Sequence, residues 1–127
     1  ETARTLVPEA DIRYSKFNKA AILTIGSCDG ACQEALDRLE ARKVGLNYCR
    51  IKGFPFSDAV REFIDKHEIV YVVEQNRDAQ LRTLLVNDIE ADQTRLVSLL
   101  HYDGMPITAG FVVDGVLEDI RKKGRAA

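Results

Sequence analysis

At 127 residues the chain has room for one domain whose core removes roughly two thirds of the unfolded surface from water, so neither a disulfide nor a structural metal is needed to hold it. A hydrophobic fraction of 46%, a charged fraction of 30% and a formal charge of −2 give no reason to expect nucleic acid or an anionic membrane as partner. The apolar runs are too short for a transmembrane helix or the core of a signal peptide, and three cysteines without framework spacing fit a reducing, cytoplasmic setting.

Residues 1–19 read as a polar connecting segment, with Pro8 in it and a short edge strand over Ala10–Tyr14. Glu1 is not an initiator, so the expectation is a domain that follows others in a longer polypeptide. Ala20 to Ile25 forms the first apolar run and ends at Gly26; Asp29 is placed to cap a helix over Ala31–Lys43. Cys32, Ala35, Leu36 and Leu39 share one face of that helix, and Gly45 supplies its stop. Leu46 to Ile51 is a strand interrupted by Asn47 and Arg50, which suits a sheet edge. Ser57 then caps a helix whose buried face is Val60, Phe63 and Ile64, closed by His67.

The stretch from Glu68 to Leu85 changes character within one residue. Ile69-Val70-Tyr71-Val72-Val73 has the β-branched, apolar composition of a strand buried on both faces. Glu74-Gln75-Asn76-Arg77-Asp78 sets five polar side chains at its carboxyl end, and Leu81, Leu84, Leu85 and Ile89 give the following helix an apolar stripe. Arg95 to Leu100 is the next strand, again followed by a polar corner, His101-Tyr102-Asp103-Gly104. From Thr108 a last helix carries Val112, Val113, Val116, Leu117 and Ile120 along one side, with the basic end Arg121-Lys122-Lys123-Gly124-Arg125 complementing its dipole.

Strands alternating with helices, without hairpin signals, predict an α/β fold: a mostly parallel sheet of four to five strands between two helical layers. All the strand-to-helix loops then emerge on one rim. That rim carries Ser27, Cys28 and Asp29; Phe54 and Pro55; Glu74, Asn76, Arg77 and Asp78; and His101, Tyr102 and Asp103.

Each of these groups has a plainer reading beside a functional one. Gly26-Ser27-Cys28-Asp29-Gly30 invites a phosphate loop, but its spacing is neither of the known fingerprints, no lysine follows, and Asp29 would repel a phosphate; a tight turn explains it. Cys28 and Cys32 lack the spacing of redox or zinc sites; Cys32 and Cys49 read as apolar fillers, while Cys28 beside a helix start is a candidate for a lowered pKa. Glu74 could serve as an acid or base, Asn76 as an amide donor or as the helix cap acting through Asp78, and Arg77 as a carboxylate clamp. No nucleophile partner accompanies them, so an interface or ligand rim fits better than an active site. His101 could carry a proton or simply bind a neighbouring loop.

Taken together, Gly26-Ser27 with Glu34-Ala35-Leu36-Asp37-Arg38-Leu39, then Phe54-Pro55-Phe56, Val73-Glu74-Gln75-Asn76-Arg77-Asp78-Ala79-Gln80-Leu81, and His101-Tyr102-Asp103-Gly104 with Pro106-Ile107-Thr108-Ala109, resemble one family. It is the C-terminal domain of the α subunit of 2-oxoacid:ferredoxin oxidoreductases, above all the 2-oxoglutarate type. The resemblance runs from Ala20 to Leu117. It implies a transketolase C-terminal-like domain over residues 20–121, a three-layer α/β/α sandwich with one antiparallel edge strand, followed by a tail over 122–127.

In that family the α subunit and a β subunit oxidatively decarboxylate a 2-oxoacid using thiamine diphosphate, Mg, coenzyme A, iron–sulfur clusters and ferredoxin. Those sites lie chiefly outside this domain. The resemblance therefore implies no catalytic residue, no metal ligand and no cofactor bound here. It implies as partners the preceding domains of the same subunit, the β subunit and, through the complex, ferredoxin; the uncovered rim of an orphan domain makes a homodimer a candidate for the isolated domain. Glu74, Asn76, Arg77, Asp78, His101 and Asp103 then form a binding or interface rim. An independent small-molecule or nucleotide-binding module, or the equivalent domain of another thiamine-dependent enzyme, are the alternatives.

Overall fold

The computed structural model describes residues 10–15, 19–53 and 56–123. Its elements are β1 (Asp11–Arg13), β2 (Ala20–Ile25), a 3-10 turn (Gly26–Cys28), α1 (Asp29–Ala41), β3 (Asn47–Ile51), α2 (Asp58–Asp65), β4 (Ile69–Glu74), α3 (Gln80–Ile89), a second 3-10 turn (Gln93–Arg95), β5 (Leu96–Leu100) and α4 (Ala109–Lys123). The expectations for residues 1–9, Phe54, Pro55, Gly124, Arg125 and the side chain of Ser27 lie outside the described residues.

The five strands form one sheet in the order β1-β3-β2-β4-β5. β2, β3, β4 and β5 are parallel, and β1 lies antiparallel on β3 with Asp11 opposite Arg50 and Arg13 opposite Tyr48. Strand periodicity sorts the side chains to two faces. Ile22, Tyr48, Tyr71, Val73 and Leu99 point to one core, where they meet Cys32, Ala35, Leu36 and Leu39 of α1 and Val112, Val113 and Val116 of α4. Ala21, Leu23, Cys49, Ile51, Val70, Val72 and Leu96 point to the other, against Val60, Phe63 and Ile64 of α2 and Leu81, Leu85 and Ile89 of α3. The sheet is thus covered on both sides, which is why β4 is buried along its whole length. α4 comes so close to β5 that a Cβ built on Gly115 would stand 2.9 Å from Leu99 Cδ2.

The edge strand expected in Ala10–Tyr14 is β1. By taking the outer place it moves β3 inward, so Leu46–Ile51 does not occupy the edge assigned to it; its two polar residues are accommodated instead. Asn47 Oδ1 accepts from Ser15 N at 2.6 Å, and Arg50 reaches Asp29 at 4.0 Å. Asp29 opens α1 rather than capping it, and its carboxylate accepts the Tyr48 hydroxyl at 2.5 Å. α1 ends before Gly45: Lys43 takes a left-handed backbone (φ 64), and Val44 N donates back to Leu39 O at 2.8 Å. Ser57 occupies the N-cap position of α2 but makes no side-chain cap bond, whereas Thr108 Oγ1 accepts from Phe111 N at the start of α4. Leu84 is 44% exposed and leaves the buried stripe of α3 to Leu81, Leu85 and Ile89.

Candidate functional site

Because β2, β3, β4 and β5 are parallel, their carboxyl ends share one edge of the sheet, and the loops after β2, β4 and β5 meet there. The connection leaving β2 runs to α1 on one face, and that leaving β4 runs to α3 on the other. Neighbouring strands whose loops diverge in this way open a crevice, the position where open α/β sheets bind ligands. Here the crevice lies between Gly26–Asp29 and Glu74.

Glu74 fills its side of the crevice with a structural role. It is only 4% exposed, and its carboxylate accepts Leu81 N at 2.7 Å, Arg82 N at 3.2 Å and Asn76 Nδ2 at 3.0 Å. Two of these donors are free N–H groups of the first turn of α3, where the helix dipole also favours a negative charge. Asn76 is therefore not the cap of α3. It binds Glu74 through its amide, and its Oδ1 accepts Asp78 N at 3.0 Å, closing the turn that leads into the helix. With its oxygens so engaged, Glu74 holds the start of α3.

The loop after β5 is tied to the one after β4. His101 N donates to Glu74 O at 2.9 Å, Gln75 Nε2 donates to Met105 O at 3.4 Å, and the Arg77 guanidinium lies 5.9 Å from the centre of the Tyr102 ring. Asp103 Oδ1 accepts Met105 N at 2.9 Å and stands 3.4 Å from His101 Nε2. The His101 ring packs edge-on to Phe111 with 4.9 Å between centroids, and its Nδ1 is buried without a hydrogen-bond partner. The predicted residues Glu74, Asn76, Arg77, Asp78, His101 and Asp103 thus share one rim. Tyr102, already placed on this rim by the sequence, is 63% exposed; Met105, 65% exposed, was missed, and its only signal is a methionine in an otherwise polar loop.

On the β2 side the expectation of a lowered Cys28 pKa is overturned. Burial pushes the thiol up, the neighbouring Glu74 charge adds to this, and a hydrogen bond with Thr24 only partly opposes it. Cys32 and Cys49 are buried apolar fillers, with burial pushing each thiol up to about 12. Gly26–Cys28 makes a tight 3-10 turn, with Gly26 at φ 80, and Asp29 follows directly. A groove of about 580 Å³ lies between the first turns of α1 and α4, lined by Gly30, Ala31, Glu34, Arg38, Thr108 and Ala109 among others. Its charges cancel, because Arg38 is ion-paired with Glu34. Among the described residues no three of His, Cys, Asp and Glu gather to hold a metal ion, and no helix is long and apolar enough to cross a membrane.

No protein-family profile and no curated protein matches the sequence. Among solved structures, 2-oxoglutarate:ferredoxin oxidoreductase from Magnetococcus marinus, with 2-oxoglutarate, coenzyme A and succinyl-CoA bound, superimposes over 94% of this chain at TM-score 0.79 and 21% identity. The present chain spans 21% of the length of that one. The alpha chain of a probable 2-oxoacid ferredoxin oxidoreductase from Thermoplasma acidophilum superimposes over 89% of this chain and 97% of its own, at TM-score 0.60 and 22% identity. At these identities the likeness establishes a common fold: the five-stranded, mostly parallel α/β/α sandwich of this chain is the fold of a segment of 2-oxoacid:ferredoxin oxidoreductases.

Proposed function

We propose that the chain is the C-terminal structural and assembly domain, over residues 20–121, of the α subunit of a cytoplasmic 2-oxoacid:ferredoxin oxidoreductase. The complete complex would carry out coenzyme A-dependent oxidative decarboxylation of a 2-oxoacid, with 2-oxoglutarate the preferred candidate. The observation that carries this reading is the agreement of fold over 94% of the chain with one segment of a much longer enzyme chain. The motifs around Glu74 to Leu81 and His101 to Ala109 point the same way.

In the family that the sequence resembles, the thiamine and cluster sites lie chiefly outside this domain, so thiamine diphosphate, Mg, the iron–sulfur clusters and coenzyme A are assigned to the rest of the complex. This chain's own contribution is a rim made rigid by the Glu74 cap and by the contacts between its two loops. Arg77, Asp78, His101 and Asp103, supported by Glu74 and Asn76, would meet the preceding domains of the same subunit or the β subunit.

The test is purification of the full-length chain with its partners, followed by assay of 2-oxoacid- and coenzyme A-dependent reduction of a ferredoxin-like acceptor. Arg77→Ala and Asp103→Ala, made in that complex, are expected to weaken assembly or lower turnover. Unchanged assembly and turnover in both would remove the docking role, and absence of any 2-oxoacid-dependent reduction would remove the enzyme assignment.

A further inference from the structure

We infer that His67 and Asn47 form a proton-operated latch on the stretch that follows β1. The neutral His67 ring holds the Asn47 amide in the orientation that fastens Ser15 to β3, and protonation of the ring turns the amide over and releases Ser15. The chain of hydrogen bonds fixes each role. A backbone N–H can only donate, so Asn47 presents Oδ1 to Ser15 N, at 2.6 Å, and turns Nδ2 to His67 Nε2, at 2.9 Å. Nε2 must then accept, and the proton of the neutral ring sits on Nδ1, 2.6 Å from Phe63 O. Asn47 and His67 are only 2% and 1% exposed, so bulk solvent does not reach a mismatched partner.

A proton on Nε2 sets its N–H against the hydrogens of the Asn47 amide. Turning the amide over restores that bond, with Oδ1 now accepting from the ring, but it brings Nδ2 to face Ser15 N, donor against donor. One proton enters and one hydrogen bond is lost. The rest of β1 is held independently of the ring, by Lys52 to Asp11 at 3.1 Å and by Arg13 to Gln33 at 2.9 Å and to Asp37 at 2.7 Å. What loses its hold on β3 is therefore the stretch after the strand, Tyr14 and Ser15, of which Tyr14 is already 61% exposed. The charges about the ring make release a response to acid. Lys66 beside it and Arg95, which donates to His67 O, are cations that oppose protonation while the latch is closed. The neighbouring acids are exposed: Asp65 and Glu68 flank the ring in sequence, Asp92 pairs with Arg95, and Glu40 accepts the Ser15 hydroxyl.

The latch rests on hydrogen-bond geometry and is independent of the enzyme assignment. Nuclear magnetic resonance of the chain between pH 7.5 and pH 5.0 tests it, with circular dichroism confirming the fold at each step. The Ser15 amide proton is expected to move upfield as the pH falls, along the same curve as the His67 ring protons, while the amide of Val72 in β4 stays in place. Its exchange with solvent, corrected for the intrinsic effect of pH, should quicken by up to about ten-fold per unit below pH of about 6.5. Asn47→Asp supplies a carboxylate that accepts from both Ser15 N and a protonated ring, so Ser15 should keep its resonance position at low pH. His67→Gln, which has no group titrating in this range, should hold Ser15 alike at both ends of it. A Ser15 resonance that does not follow His67 in the native chain would overturn the inference, as would a movement that persists in either variant.

Discussion

Glu74 is the residue on which the rim turns. A carboxylate buried at the end of a strand is costly unless its oxygens are matched by donors, and here two backbone N–H groups and one amide supply them. Glu74→Ala would leave the first turn of α3 uncapped and Asn76 without its acceptor, with an expected loss of about 2–3 kcal/mol in urea denaturation. Glu74→Gln keeps an acceptor oxygen but loses the charge and adds an amide with no acceptor beside those N–H groups; about half that loss is expected. None of this was visible in the sequence, where Glu74 and Asn76 looked like equal members of a polar cluster. The bonds that distinguish them span two, seven and eight residues, and they arise only once α3 folds back over the end of β4. Asp119 was missed for a similar reason: it sits among polar neighbours on α4, yet it is buried and accepts the Tyr71 hydroxyl from 48 residues away at 2.7 Å.

At the scale of elements, helix ends were read less well than helix faces. Apolar spacing located all four helices because burial imposes a period that the sequence must carry. Ends depend on single backbone conformations. α3 is flanked by Ala79 (φ 51) and Glu90 (φ 54), both left-handed without being glycine, and Ala91 N donates to Leu85 O at 3.2 Å to close the carboxyl end. Left-handed backbone costs an L-residue roughly 1–2 kcal/mol, partly offset in glycine by its greater freedom in the unfolded chain. Ala79→Gly and Glu90→Gly are each expected to raise stability by about 0.5–1 kcal/mol, measured as a shift of the urea midpoint at constant slope. A lower midpoint in both would show that the left-handed residues are not strained.

Across the whole molecule, the alternation of strands and helices made the layered architecture legible, and the position of β3 was not. Nothing local in Leu46–Ile51 tells that a three-residue strand from the preceding segment will lie outside it. The same strand pairing builds a buried junction at the amino ends of the strands, opposite the rim. His67, 1% exposed, places Nδ1 2.6 Å from Phe63 O and Nε2 2.9 Å from the Asn47 amide, which in turn holds Ser15 N. This pattern calls for a neutral ring, with Nδ1–H donating and Nε2 accepting. Burial holds the His67 pKa below its ordinary value, aided by Lys66 and only partly opposed by the bond to Phe63 O. The unfolded chain therefore binds the proton more readily. Stability is whole above pH of about 6.5 and falls as the pH drops below that value toward the folded pKa, by up to about 1.4 kcal/mol per unit. Denaturation at pH 7.5 and pH 5.5 should show this loss, and His67→Gln should flatten it; an equal slope in the variant would assign the dependence to other groups.

The outermost place of β5 has a consequence for how the protein behaves in bulk. Leu96-Val97-Ser98-Leu99-Leu100 carries no charge and no proline, and one side of its backbone has no neighbouring strand among the described residues. β1, at the other edge, is three residues long and includes Asp11 and Arg13. Edges of the first kind recruit further strands, and edges of the second kind resist them. Growth of aggregates in concentrated solution would accordingly be one-sided, starting at β5, and a lysine in place of Ser98 is the smallest change that would blunt it.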